Sequence, residues 1–227
     1  MKTNEISIPI GGSVTLQGTL NVPAGASSFV IFSHGSGSSR FSVRNRHVAE
    51  VLNKEKIATL LIDLLTEKED SVFENRFNID LLTKRLVSVT SYVHQLPELE
   101  DLPIGYFGAS TGAASALKAA EKLKGLVHAV VSRGGRPDLA KASLNQVKAP
   151  TLLIVGSLDG DVIEMNEQAF SLLNSEKKIE IIEGASHLFE ERGKLDEVAK
   201  LATAWFKKYL YNIKANTQPD QKTSHFR

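Results

Sequence analysis

Six short, unbroken apolar runs, separated by segments with helical periodicity, constrain the fold of this chain more than any other feature. The runs are Phe29–Phe32, Ala58–Ile62, Ile104–Phe107, Leu126–Val131, Leu152–Val155 and Ile179–Ile182. Runs of this length without polar alternation are typical of strands buried on both faces of a parallel sheet. Strands that alternate with helices form crossover units, so the pattern predicts an α/β fold.

The N-terminal segment has a different pattern. Ile6, Ile8 and Ile10 alternate with polar residues, and a second alternating stretch follows Gly11-Gly12. This pattern predicts an antiparallel hairpin, closed at the two glycines. Together with the six runs it gives an eight-stranded, mostly parallel sheet with helices on both faces. No Pro/Ser-rich linker divides the chain, so we expect one domain over residues 1–211 and a polar tail over residues 212–227.

Composition excludes several classes of function. Lysine and arginine total 27 against 26 aspartates and glutamates, so no basic field for nucleic acid or an anionic membrane is expected. The chain has no cysteine, which excludes thiol nucleophiles, thiolate metal sites and disulfides. It has no apolar stretch of about 18 residues and no signal-peptide pattern, so we expect a cytoplasmic protein without a membrane span.

The segment from Gly108 to Gly112 matches the motif G-x-S-x-G, with Ser110 at its centre. It directly follows the apolar run Ile104–Phe107 and directly precedes a helical pattern, which is the strand–turn–helix context of a nucleophile elbow. Small flanking residues allow the strand and the helix to approach closely. The sequence therefore predicts a serine nucleophile at Ser110, with the N–H of Thr111 available to an oxyanion.

A glycine-rich loop, Ser33 to Arg40, follows the first buried run. Such a loop can aim backbone N–H groups at an anion. In a serine hydrolase one of them completes the oxyanion hole, and Ser36 or Gly35 would supply it here. A phosphate-binding loop is the alternative, but the segment has no G-K-[ST] and lacks the third glycine of the dinucleotide motif.

A serine nucleophile requires a base, and the base requires an orienting carboxylate. His187 follows the last buried run in a loop of small residues, which places it at the same sheet edge as Ser110. The other histidines lie in the glycine-rich loop, in helical patterns, in a buried run or in the tail: His34, His47, His94, His128 and His225.

Two carboxylates after the run Leu152–Val155 compete for the role of the acid. Asp159 comes first and is followed by glycine, whereas Asp161 could instead cap the next helix. We favour Asp159, and we expect Asp63, at the same edge, to hold a loop. The resulting order Ser110, Asp159, His187 is that of α/β-hydrolases.

With these residues in place, the chain resembles a small α/β-hydrolase of the dienelactone-hydrolase-like group. The resemblance covers roughly residues 5 to 210 and includes the segments His34–Arg40, Asp63–Thr66 and Ser132–Asp138. It implies an esterase-like hydrolase. Dienelactone hydrolase itself uses a cysteine nucleophile, and this chain has serine at that position. Some relatives are fused to a phosphoribosyltransferase domain, and these 227 residues show no such segment.

The expected activity is hydrolysis of a carboxylic ester or a related small acyl substrate through an acyl-enzyme. A triad needs neither a metal nor an organic cofactor, and no metal-ligand motif is present. Two alternatives stay open: a non-catalytic anion-binding protein on the same fold, and a thioesterase or acyltransferase that uses the same triad. The oligomeric state is not predicted.

Three arginines, expected in loops at the carboxyl edge, suggest an anionic substrate: Arg40, Arg133 and Arg136. Arginine forks suit carboxylates and phosphates. The alternative is that they pair with nearby carboxylates and only stiffen loops, namely Asp63, Asp138 or those of residues 67–70. The segment between Val131 and Leu152 has room for one short helix, through Asp138–Leu144, but not for a cap domain. An open, shallow site for short acyl groups is therefore expected.

Overall fold

The computed structural model describes residues 3–211, so the expected tail at residues 212–227 lies outside the described part. The described residues form one eight-stranded sheet with strand order β1-β2-β4-β3-β5-β6-β7-β8. The strands are β1 Thr3–Ile10, β2 Val14–Asn21, β3 Ser28–Ser33, β4 Ile57–Ile62, β5 Ile104–Ala109, β6 Val127–Arg133, β7 Thr151–Gly156 and β8 Lys177–Ile182. The α-helices are α1 Val43–Lys54, α2 Glu67–Asp70, α3 Ile79–Val93, α4 Thr111–Lys122, α5 Gly160–Leu172 and α6 Lys194–Leu210.

Strand pairing confirms the predicted fold class. The pairs β1/β2 and β2/β4 are antiparallel, and all the other pairs are parallel. The hairpin closes at Gly11 and Gly12, which both have positive φ. Pro9 lies on β1, at the edge of the sheet, which is a position where sheets tolerate proline.

Helices cover both faces of the sheet, as predicted. One apolar cluster joins the sheet to α3, α4 and α5 and includes Leu86 and Leu117. The other joins it to α1 and α6 and includes Leu52 and Phe206. Parallel strands that are covered on both faces have apolar residues at successive positions, which explains the unbroken apolar runs in the sequence. No helix within residues 3–211 is both long enough and apolar enough to cross a bilayer.

Three details differ from the sequence expectation. Strand β8 is an edge strand with mostly half-exposed residues and is not buried on both faces. Strand β6 continues through Ser132 and Arg133, so Arg133 ends a strand and does not lie in a loop. The chain also makes an unpredicted excursion after β4, built from α2 and a 3-10 helix over Phe73–Phe77.

Candidate active site

Ser110 lies on a sharp turn between β5 and α4. Its backbone angles, φ 50° and ψ −123°, are unfavourable for a residue with a side chain. Glycine is required on both sides, because a Cβ on Gly108 would lie 2.5 Å from Ala113 Cα and one on Gly112 would overlap the carbonyl oxygen of Ser33. The strained turn that the motif predicts is therefore present, with Ser110 at the carboxyl edge of the sheet.

His187 and Asp159 form a hydrogen-bonded pair at this edge. His187 Nδ1 lies 2.8 Å from Asp159 Oδ2. The Asp159 side chain is only 9% exposed, whereas that of His187 is 37% exposed. An ionised carboxylate only accepts hydrogen bonds, so Nδ1 carries the proton and Nε2 is left as an acceptor. Asp161 lies in the first turn of α5 and is exposed, and Asp159 itself occupies the N-cap position without a capping hydrogen bond.

The loops that carry Asp159 and His187 are tied together by hydrogen bonds. Ser157 N–H donates to Ile182 O at 2.9 Å, and Gly184 N–H donates to Ser157 Oγ at 2.7 Å. Leu158 N–H donates to Ala185 O at 3.0 Å. These bonds tie the two loops together, so the Asp159–His187 pair is held by the hydrogen bonds of its loops as well as by its own contact.

The end of β6 lies between the serine and the histidine. Ser110 N–H donates to Arg133 O at 3.2 Å, and Arg136 N–H donates to Ser110 O at 3.0 Å. A Cβ on Gly134, whose φ is 49°, would lie 3.4 Å from His187 Nδ1. Ser110 Oγ makes no hydrogen bond to the described residues.

The predicted oxyanion residues converge on Ser110. A Cβ on Gly35 would lie 3.0 Å from Ser110 Cβ, so the glycine-rich loop packs directly against the serine. Thr111 begins α4, where the first N–H groups of a helix have no intrahelical acceptor. Ser36 N–H donates to Thr111 Oγ1 at 2.9 Å. The sequence did not indicate this contact of the Thr111 side chain, because the motif allows any residue at that position.

Two of the three candidate arginines are paired within the protein. Arg40 binds Asp63 through both its backbone N–H, at 2.6 Å, and its guanidinium. Arg136 makes two hydrogen bonds to Asp138, at 2.9 and 2.8 Å, which raise the pKa of its guanidinium. These contacts correspond to the loop-stiffening alternative. Arg133 has no such partner in the described part of the chain: it is 6% exposed, and its Nε and Nη1 atoms are buried without a hydrogen bond.

A cavity of about 500 Å³ opens against the glycine-rich loop. Its walls include His34, Arg40, Phe41, Asp63 and Thr66, but none of the three residues predicted to form the triad. A buried asparagine that sequence reasoning missed, Asn166 of α5, supports the turn after β6 by donating to Gly135 O at 2.9 Å. Among residues 3–211 no group of three or more histidines and carboxylates is placed to hold a metal ion.

A mostly parallel eight-stranded sheet with a strained serine after β5 and an Asp–His pair after β7 and β8 defines an α/β-hydrolase. Comparison with known proteins gives the family. Residues 48–216 match the model of the dienelactone hydrolase family, and the chain belongs to that family.

A solved relative is dienelactone hydrolase from Anabaena variabilis, which is 52% identical, with a TM-score of 0.89 over 92% of this chain and 98% of that chain. Est1E from Butyrivibrio proteoclasticus, solved with ferulic acid bound, is 17% identical, with a TM-score of 0.79 over 90% of this chain and 98% of that one. At this lower identity the likeness extends to the fold alone.

Two curated relatives from Mycobacterium tuberculosis strains are each 50% identical over 210 residues, which is 92% of this chain. Both carry the name "Putative phosphoribosyl transferase". The chain spans 47% of their length, so it corresponds to about half of each relative.

Proposed function

We propose that the chain hydrolyses carboxylic esters through an acyl-enzyme, with Ser110 as nucleophile, His187 as general base and Asp159 as the orienting acid. The observation that carries this proposal is the 2.8 Å contact between His187 Nδ1 and Asp159 Oδ2, at the edge where Ser110 occupies its strained turn. A carboxylate that holds the Nδ1 proton leaves Nε2 free to accept one from the serine.

In the acylation step Ser110 Oγ bonds to the ester carbonyl carbon while its proton passes to His187 Nε2. The negative oxygen of the tetrahedral intermediate accepts hydrogen bonds from the N–H of Thr111 and from the glycine-rich loop. When the intermediate collapses, the bond to the alcohol oxygen breaks and His187 returns the proton to that oxygen. Water then repeats the sequence on the acyl-enzyme and releases the acid and free Ser110.

The second oxyanion donor is Ser36 N–H or Gly35 N–H. Ser36 N–H already donates to a neutral oxygen, Thr111 Oγ1. A negatively charged oxygen is a stronger acceptor than a hydroxyl, so a substrate oxyanion would take over this donor during the reaction. Gly35 packs against Ser110, which supports a position for the loop next to the reacting carbon.

The absence of a cap over the triad in the described residues favours water as the acceptor. Residues 134–150, between β6 and β7, contain only a 3-10 helix over Pro137–Gln146. The His187 side chain is more than one third exposed. Because solvent reaches the base directly, hydrolysis is preferred to acyl transfer, and small acyl substrates fit an open site of this kind.

Labelling with a fluorophosphonate probe tests the nucleophile. We expect wild-type protein and the control Ser171→Ala, an exposed serine of α5, to be labelled and Ser110→Ala to be unlabelled. Ser110→Ala should also lower turnover of p-nitrophenyl acetate by at least ~10³-fold, because triad members act as a unit. Equal labelling of Ser110→Ala, or turnover within tenfold of wild type (roughly 1.4 kcal/mol in barrier), would contradict the proposal.

A further inference from the structure

Arg133, the last residue of β6, is a buried cation without a counter-ion in the described part of the chain. It lies between Ala109 of β5 and Ile154 of β7 in the sheet register and shares the face of the sheet that α1 and α6 cover. Only 6% of the residue is exposed. Nε and Nη1 are buried without a hydrogen-bond partner. Nη2 makes no hydrogen bond to the described residues either, but unlike Nε and Nη1 it is not fully buried.

A guanidinium in this state is energetically costly, because a charge removed from water needs an opposite charge or several hydrogen bonds. Burial and the neighbouring Arg44 lower the pKa of Arg133 to about 10, which still leaves it protonated at neutral pH. Arg44 is itself a cation, and its own carboxylate partner is Glu190, at 2.6 Å. The described part of the chain therefore brings a second positive charge near Arg133 without supplying an anion for it.

The surroundings of Arg133 form part of the catalytic edge. Its carbonyl oxygen accepts from Ser110 N–H, and its guanidinium carbon lies 5.9 Å from the ring centre of Phe189, two residues after His187. Phe189 is fully buried and has a φ of 58°, so the loop after the histidine is held in an unfavourable conformation against Arg133. A charge at this position is next to both the nucleophile turn and the histidine loop.

The first turn of α1, which carries Arg44, has a further unsatisfied donor. Arg44 Nε is buried without a hydrogen-bond partner among the described residues. The helix has 12 residues and is capped by Ser42, whose side chain accepts from Asn45 N–H. Its N-terminus adds a partial positive charge to the two arginines. Arg133, Arg44 and the start of α1 together favour a negative charge at this place.

We propose that Arg133 forms the base of an anion-binding site between the end of β6, the first turn of α1 and the loop His187–Glu190, and that the site takes a small carboxylate-type anion. The guanidinium has two edges that can donate a pair of hydrogen bonds, one formed by Nε and Nη2 and the other by Nη1 and Nη2. The solvent-facing Nη2 belongs to both edges. A planar oxyanion that meets Nη2 can therefore bind either edge in the bidentate manner of arginine–carboxylate pairs. The anion is either the substrate's own carboxylate, which rests on the proposed esterase function, or a free anion.

Acetate titration of the Ser110→Ala protein tests the site without requiring catalysis. We expect the melting temperature to rise by roughly 5 °C or more when acetate exceeds its Kd 100-fold. The same rise is expected for the control Ser110→Ala/Arg136→Gln, which changes a paired arginine, and none for Ser110→Ala/Arg133→Met. An equal acetate effect with and without Arg133 would overturn the proposal.

The stability of the unliganded protein gives a second readout. Without added carboxylate, Arg133→Met should melt at or above the temperature of the parent, because it removes an uncompensated buried charge. A clear fall for Arg133→Met, together with no acetate effect on the parent, would mean that Arg133 has only a structural role. If Arg133→Met does not fold, Arg133→Lys keeps the charge without the fork and should bind acetate more weakly in calorimetry. No heat of acetate binding to the parent would also overturn the site.

Two esters of succinic acid distinguish the two sources of the anion. If the substrate carboxylate binds, Arg133→Met should raise KM for monomethyl succinate at least tenfold, leave KM for dimethyl succinate unchanged, and abolish competition by acetate. If a free anion binds, acetate stabilises the parent without competing with either ester. Failure of wild-type protein to hydrolyse either ester would count against the esterase proposal, while the acetate result with Ser110→Ala would still decide the anion site.

Discussion

Asp159 and Asp161 are two residues apart, yet their surroundings give them different roles. Asp159 is largely buried and contacts the histidine, whereas Asp161 is exposed in the first turn of α5. The sequence could rank these carboxylates by order and spacing alone. The structure supplies the contact that supports the ranking. It also corrects the expected cap, since α5 begins at Gly160 and Asp161 lies inside the helix.

Exchange of each carboxylate for its amide tests this difference. Asp159→Asn should lower kcat/KM by at least ~10³-fold, because the imidazole would lose the partner that fixes its tautomer. Asp161→Asn should leave kcat/KM close to wild type and lower the free energy of unfolding by about 0.3–1 kcal/mol, through loss of a charge near a helix N-terminus. Kinetics with p-nitrophenyl acetate and thermal melts measure both effects. The reverse ranking of rates would assign the acid to Asp161.

The three arginines show that the sequence can indicate where a charged residue lies without indicating which residue it pairs with. Their shared position near the carboxyl edge is visible in the sequence, but their partners are not. Arg40 and Asp63 are separated by 23 residues and meet because β3 and β4 are adjacent parallel strands. Arg133 belongs to a strand, and its burial follows from strand register, which no local pattern specifies.

At the scale of elements, strand–loop–helix units position the site. The motif around Ser110 was predictable, because steric demands at the turn restrict the residue types that can occupy it. The helix after β4 could have been predicted from the sequence, since Thr66 and Glu69 form a capping box that marks the start of α2. The exposure of β8 could not be predicted from the sequence, because an edge position depends on strand order and not on the apolar run itself.

The contact between the glycine-rich loop and the nucleophile turn predicts a specific effect of one methyl group. In Gly35→Ala the new Cβ would lie 3.0 Å from Ser110 Cβ and 3.1 Å from Ala109 O, so the loop must move by a few tenths of an ångström. We expect kcat to fall by about tenfold or more with a smaller change in KM, because the oxyanion donors lose alignment.

The matched control for this variant is Ser38→Ala, in the same loop, where no side-chain hydrogen bond to the described residues is lost. It should keep wild-type kinetics and stability. If Gly35→Ala raises KM and leaves kcat intact, then the loop contributes to substrate binding and not to stabilisation of the oxyanion.

Little of the molecule covers the proposed triad. Within the described residues the β6–β7 connection has only one 3-10 helix, over Pro137–Gln146, and the excursion after β4 lies near the glycine-rich loop. The short segment between the sixth and seventh strands was enough to predict that no cap domain is inserted there. The 500 Å³ cavity against the glycine-rich loop, whose walls include none of the three proposed triad residues, depends on how separate loops pack and was not predictable.

Acyl-chain preference tests this openness. We expect kcat/KM to be highest for p-nitrophenyl acetate and to decline toward the decanoate, because a long chain at an open edge stays in contact with water. The measurement is a series of p-nitrophenyl esters kept below their micellar concentrations. A clear preference for decanoate would indicate instead that exposed aromatic residues such as Phe41, Phe73 and Phe77 form an acyl groove.

The strand order divides the sheet into two blocks that are also consecutive in the chain: β1 to β4 on one side and β5 to β8 on the other, joined only where β3 pairs with β5. Ser110, Asp159 and His187 all belong to the second block, and Gly35 belongs to the first. A chain cut between α3 and β5 would therefore yield one fragment with the whole triad and another with the glycine-rich loop. Esterase activity regained on mixing would report the association of the two fragments. The connection between α3 and β5 is therefore a suitable place to divide the chain for a split reporter.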